Sequence, residues 1–289
     1  MATPPTTDLP PHRRGFFGVP WRPAWQPPPG VATTGRIAPV VGVLAAVVAT
    51  ILAFCVPAGV RADDRAAGIS LFVFTLAPLA AACFTWQRDR SFRRRDALVA
   101  AVAGLATLAA GPLAATGTAL GVLASLALLR ARLVPFPWVR WLQPRSASSG
   151  VRRALLTAAL TPLVLWLLAG MPHTFSLGAD EVFVALAGAV NQEAGWRLFW
   201  YAVAIYAIGG VPRTRAQRGW CLALLVVPHV LMFTLSRVAA GAWTGLLLEG
   251  GLVALVYVIP LALVFRRHGL VPAVLAHALI DAVRSAALV

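Results

Sequence analysis

The chain has 289 residues, 59% of them hydrophobic and only 12% charged, and its formal net charge of +15 rests on 25 basic residues that are all arginine. This composition excludes an ordinary soluble domain, and its repeated apolar stretches predict an all-α, polytopic integral membrane bundle. The positive charge does not call for nucleic acid. Arginine gathered in loops between spans is the positive-inside pattern, and such loops suit an anionic inner leaflet, so membrane lipids are the expected partner. Arginine-only usage with abundant alanine points to a GC-rich bacterial genome, and hence to a multi-pass protein of the bacterial plasma membrane.

Residues 1–36 hold nine of the 22 prolines and read as a disordered, Pro-rich cytoplasmic arm. Its His12-Arg13-Arg14-Gly15-Phe16-Phe17 stretch is followed by prolines rather than an apolar region, which argues against a twin-arginine export signal. Apolar runs follow at 37–60, 69–86, 97–129, 154–171, 181–210, 220–236, 244–265 and 270–289. The third run would be ~50 Å long as one helix, against a hydrocarbon core of ~30 Å. Gly111-Pro112 and Thr116-Gly117-Thr118 are turn signals near its middle. A helical hairpin there puts 20 arginines in loops on one side and 4 on the other. A single crossing would instead place the six arginines of 130–153 outside. The hairpin therefore predicts nine spans rather than eight, with the N-terminus in the cytoplasm. Segment 37–149 holds the N-terminal spans and a basic loop, and segment 150–289 holds the remaining core. Within loop 130–153, Pro135-Phe136-Pro137-Trp138 and Trp141 among arginines read as an anchor at headgroup level. Cys55, Cys83 and Cys221 all lie in apolar runs without a CxxC pattern, which reads as packing rather than zinc or disulfide chemistry.

The run 181–210 opens on Asp180-Glu181, acids suited to a helix N-terminus. Within it, Glu193 lies ~18 Å along the axis, near mid-membrane, and Arg197 follows at i+4 in the favourable order for an ion pair. A mutually compensated pair at that depth locks one helix to its neighbours. His229 lies near mid-depth of 220–236, where a lone histidine often only packs and hydrogen-bonds. Glu249 stands close to the outer end of its run and reads as facing water. On the last run His277 and Asp281 stand at i and i+4, where a carboxylate orients an imidazole, and Arg284 follows three residues on. Ionisable groups at membrane depth are costly and point to function.

Gln192-Glu193-Ala194-Gly195-Trp196-Arg197 resembles the EExGWR motif of the CPBP family, the CAAX-protease and bacteriocin-processing membrane proteins also called Abi. Leu225-Val226-Val227-Pro228-His229 resembles its FxxxH motif with Leu for Phe, and His277-Ala278-Leu279-Ile280-Asp281 resembles its Hxxx(N/D) motif. The resemblance covers about residues 150–289. It implies an all-helical intramembrane endopeptidase whose substrates are membrane-associated or prenylated peptides and proteins. It also implies that positions 192 and 229 activate a water while His277 and Asp281 stabilise the oxyanion. The chain departs from the family at Gln192, because an amide offers no basic site near neutral pH and cannot act as general base. Glu193 is ~100° away around a regular helix and does not replace it. Asp281 as a neutral acid can still donate a hydrogen bond.

A metal site built from Glu193, His229, His277 and Asp281 has no HExxH-type support, so no cofactor is predicted. The expected function is thus a CAAX-protease-like peptide hydrolase weakened by Gln192. The alternative is a catalytically silent scaffold or immunity-type binding protein of the same family. A transporter is disfavoured, because neither an inverted repeat nor paired broken helices are visible.

Overall fold

The computed structural model describes residues 77–89, 94–132, 134, 137, 144–169, 178–238 and 251–286. The arm 1–36, the run 37–60 with Cys55, the aromatic residues Phe136, Trp138 and Trp141, and Glu249 lie outside the described residues. Those described are mostly helical, without a strand, and belong to one compact unit. In chain order they form α1 (Ala77–Asp89), α2 (Arg94–Leu105), α3 (Pro112–Ala131), α4 (Pro144–Ala169), α5 (Ala179–Val190), a π-helical segment (Asn191–Arg197), α6 (Leu198–Ile208), α7 (Arg215–Val238), α8 (Gly251–His268) and α9 (Leu270–Ala286). Among the described residues, α3 and α8 are the two helices long and apolar enough to cross a membrane by length and composition.

The run 97–129 is two helices. The first ends at Leu105, a short 3-10 turn covers Leu108–Ala110, and Pro112 opens the second. Proline at the first helical position sacrifices an N–H that would be unpaired there anyway. The halves are unequal, because the first helix already ends at Leu105 and the turn takes up the residues to Gly111: α3 is ~30 Å long and α2 only ~18 Å. The two fold back on each other, and a side chain at Gly104 would meet the Ala115 carbonyl at 2.9 Å. At the open end Arg130 holds the Asp96 carboxylate through both terminal nitrogens. Beside it Arg132 donates to the Tyr206 carbonyl at 2.9 Å and lies 4.1 Å over the Tyr206 ring.

The basic loop is shorter than the hydropathy predicts. Helix α4 starts at Pro144, ten residues ahead of its apolar run. Hydropathy marks where a chain prefers lipid, whereas Arg and Ser are tolerated in a helix that extends into water. Helix α9 packs on α4, α5 and α8, while α3 packs on the π segment and α6. Buried Trp196, Phe199, Trp200, Leu129 and Phe265 fill the larger core, and Tyr257, Leu261 and Ile280 fill a second one between α4, α8 and α9. Much of the outer surface is apolar: Leu98, Val102 and Leu105 on α2, Leu155 and Leu160 on α4, and Phe183 on α5 are exposed.

Candidate active site

The segment 191–197, which holds Gln192–Arg197, does not form a regular α-helix. Its seven residues make one π-helical segment between α5 and α6, a widening that recurs at functional sites. Two contacts with α3 hold it. The Asn191 amide donates to the Ala114 carbonyl at 3.0 Å and to the Thr118 hydroxyl at 2.9 Å. At Gly195 and Gly121 the two backbones meet directly. A Cβ on Gly195 would lie 2.9 Å from the Thr118 Cα, and one on Gly121 would drive into the Gly195 carbonyl. Small residues that let helix backbones approach are how helices associate in lipid.

Glu193 and Arg197 are fully buried and form an ion pair through Arg197 Nη1 and Glu193 Oε1. The same Oε1 accepts a hydrogen bond from His277 Nδ1 on α9 at 2.7 Å. The other ring nitrogen of His277 contacts the Tyr257 hydroxyl on α8 and lies 3.3 Å from Asp281 Oδ2. Tyr257 donates to Asp281 Oδ1 at 3.1 Å, and Arg284 reaches the same oxygen at 3.7 Å. A buried polar chain thus runs Arg197, Glu193, His277, Tyr257, Asp281. The close packing of α5 and α9 makes it contiguous.

The remaining motif histidine lies on α7, directly after Pro228. His229 is fully buried, with its ring centroid 6.0 Å from that of Trp196. The Gln192 main-chain carbonyl lies on the imidazole, near the charges of Arg197 and His277. Neither ring nitrogen completes a hydrogen bond of ordinary geometry. Other buried atoms in the same state are Glu193 Oε2, Arg197 Nε and Nη2, the Gln192 side-chain oxygen and Trp200 Nε1. Buried polar groups are nearly always paired in folded proteins, so this many unengaged atoms on residues 192–200 and 229 mark a place built to hold something polar.

Glu193, His277 and Asp281 are therefore brought together, and His229 lies against the same segment. Gln192 does not join the chain of contacts and is half-buried beside it. One local expectation changes. The helix around Glu193 is widened rather than regular, because Asn191 and Gly195 tie it to α3. His277 and Asp281 meet at 3.3 Å as their i, i+4 spacing predicts, and Tyr257 joins them as a third partner. Tyr257 and Asn191 escaped the sequence reading. Asn191 is the single asparagine of the chain and directly precedes the motif, which was a usable signal; Tyr257 had none beyond being polar in an apolar run. No group of three or more His, Cys, Asp or Glu arranged for a metal ion occurs among the described residues. No family model, no characterised protein and no solved structure matches the chain.

Proposed function

We propose that this chain is an intramembrane peptide hydrolase of the CPBP kind. In this reading it is a multi-pass protein of the bacterial plasma membrane, with its N-terminus in the cytoplasm, acting without a cofactor on membrane-associated or prenylated peptides. The exposed apolar faces of α2, α4 and α5 support a lipid setting, since soluble monomers rarely leave such patches open. One observation carries the chemistry. The Glu193 carboxylate is fixed through Oε1 by Arg197 and His277, while Oε2 is buried and unengaged and the buried His229 ring, which carries the Gln192 main-chain carbonyl, completes no hydrogen bond of ordinary geometry.

The base in this reading is Glu193 rather than Gln192. Water attacks the scissile carbonyl, its proton passes to Glu193 Oε2, and the new oxyanion accepts from the open Nε and Nη2 edge of Arg197. Collapse breaks the C–N bond, and the leaving nitrogen takes that proton back from Glu193, relayed through His229, so both side chains return to their starting states. A preorganised donor in a dry site contributes roughly 10²–10³-fold and a positioned base roughly 10²–10⁴-fold.

The test is hydrolysis of a prenylated-peptide library by protein purified in detergent, comparing the parent with His229→Ala and Gln192→Glu. The expected result is a measurable parent rate that falls about 10²-fold or more in His229→Ala and changes by less than about tenfold in Gln192→Glu. A gain of two or more orders of magnitude on Gln192→Glu would return the base to position 192. The second reading, a silent scaffold, draws on a different fact. Arg197, Glu193, His277, Tyr257 and Asp281 engage one another, as an ionic lock between helices does. It prevails if neither form cleaves any substrate.

A further inference from the structure

We propose that Tyr257 is the positioning residue of this site, its hydroxyl bridging His277 Nε2 and Asp281 and so turning Nδ1–H onto Glu193. The inference rests on the hydrolytic reading only for its catalytic consequence. The geometry stands on its own.

A tyrosine hydroxyl has one proton. Tyr257 spends it on Asp281 Oδ1, so its contact with His277 Nε2 is one in which the phenol oxygen accepts. His277 Nδ1 faces a carboxylate and must donate. With Asp281 ionised, the arrangement that satisfies these contacts places a hydrogen on each ring nitrogen, the one on Nε2 shared between the phenol oxygen and Asp281 Oδ2 at 3.3 Å. The two rings meet edge to face, with centroids 5.2 Å apart at 86°, which fixes the imidazole plane as well.

The fold supplies a device that aims Tyr257. Residues Ala254–Val258 form a second π-helical segment, within α8. A widened turn frees main-chain carbonyls from the regular ladder, and Thr161 of α4 donates to the Val256 carbonyl at 3.0 Å. Tyr257, the next residue, points into the junction of α8 and α9 and is buried there. Among the described residues, the charged and titratable groups around the imidazole are Glu193 and Arg197 from the π segment, His229 from α7, Tyr257 from α8, and Asp281 and Arg284 from α9 itself. With both ring hydrogens in place, the buried cations Arg197 and His277 match the carboxylates Glu193 and Asp281 one for one. The Arg284 side chain is 54% exposed and lies at the rim.

The experiment is nitrogen NMR of histidine-labelled protein in detergent near neutral pH, with His277 assigned by its loss in His277→Gln. Both His277 nitrogens are expected in the protonated range in the parent. In Tyr257→Phe the Nε2 resonance shifts, as its hydrogen bond passes wholly to Asp281, while Nδ1 stays. An Nε2 already unprotonated in the parent overturns the proposal without any variant, so a Phe variant that fails to fold does not shield it. An Nε2 unmoved in a folded Phe variant overturns it equally. On a cleaved peptide, Tyr257→Phe should lower kcat by roughly 10- to 100-fold, the range for a hydrogen-bonded partner that orients a site residue, with KM little changed. A fall only in folded yield, at constant kcat, refutes the positioning role. If the parent cleaves nothing, the hydrolase reading fails while the NMR still decides the role of Tyr257.

Discussion

Replacing Glu193 with glutamine should destabilise the protein more than replacing Arg197 with methionine, and making both changes should be milder than either. Both residues are fully buried, so removing one charge strands the other in a low-dielectric interior. Breaking a buried pair from one side typically costs about 3–5 kcal/mol, whereas replacing both members by neutral groups of similar volume is often near neutral. The network makes the two single changes unequal. Arg197→Met leaves Glu193 still bonded to His277 Nδ1 at 2.7 Å. Glu193→Gln leaves Arg197 with no anion, and its Nε and Nη2 have no protein partner to begin with. The glutamate change should therefore take the full penalty, a loss of roughly two to four orders of magnitude in the folding constant at about 1.4 kcal/mol per decade. The arginine change should take less. The assay is SDS-titrated unfolding in mild detergent micelles, followed by tryptophan fluorescence, to which Trp196 and Trp200 beside the pair contribute. If Arg197→Met proves the worse single change, or the double variant loses as much as the two singles added together, the pair is not a compensated unit in a dry site.

Two further outcomes test the packing and the topology. Gly195→Ala and Gly121→Ala should each cost about 1–3 kcal/mol through overpacking against α3 and the π segment. Gly188→Ala, where an added Cβ meets nothing within 4 Å, should be neutral or stabilising by up to about 1 kcal/mol, a contrast read in the same unfolding assay. Reporter fusions after Gly150 and after Val289 should read cytoplasmic and external respectively. An external signal at Gly150 would remove the crossing between α2 and α3.

The helical class and the break at Gly111-Pro112 were legible because both rest on local chemistry, apolar run length and a residue without an N–H. The Glu193–Arg197 ion pair was legible for the same reason, since i and i+4 face each other on one helix. What was hidden depends on contacts between helices. Tyr257 lies 20 residues from His277 and on another helix, so no spacing rule connects them. The extension of α4 back to Pro144 was hidden because arginines and serines depress hydropathy without forbidding a helix. The π segment was invisible because Asn191–Arg197 has the composition of any α-helix, and the widening is imposed by Asn191 and Gly195 meeting α3.

That widening bears on the departure at Gln192. On a regular helix, neighbouring residues point ~100° apart, so Gln192 and Glu193 would face different neighbours. Here the turn is not regular, and the residue that meets the third motif through His277 is Glu193. Gln192 contributes through its backbone instead, its main-chain carbonyl lying on the His229 ring. The second π segment repeats the device: the Val256 carbonyl is taken by Thr161 from a neighbouring helix, and Tyr257 beside it turns onto His277. In lipid a backbone carbonyl released from the helical ladder must find a partner within the protein. Each widened turn is therefore stable only where another helix supplies a donor. The second meets that demand through Thr161, and the first through the His229 ring at the Gln192 carbonyl, which ties the irregular backbone of this bundle to the buried charged cluster around Glu193 and His277.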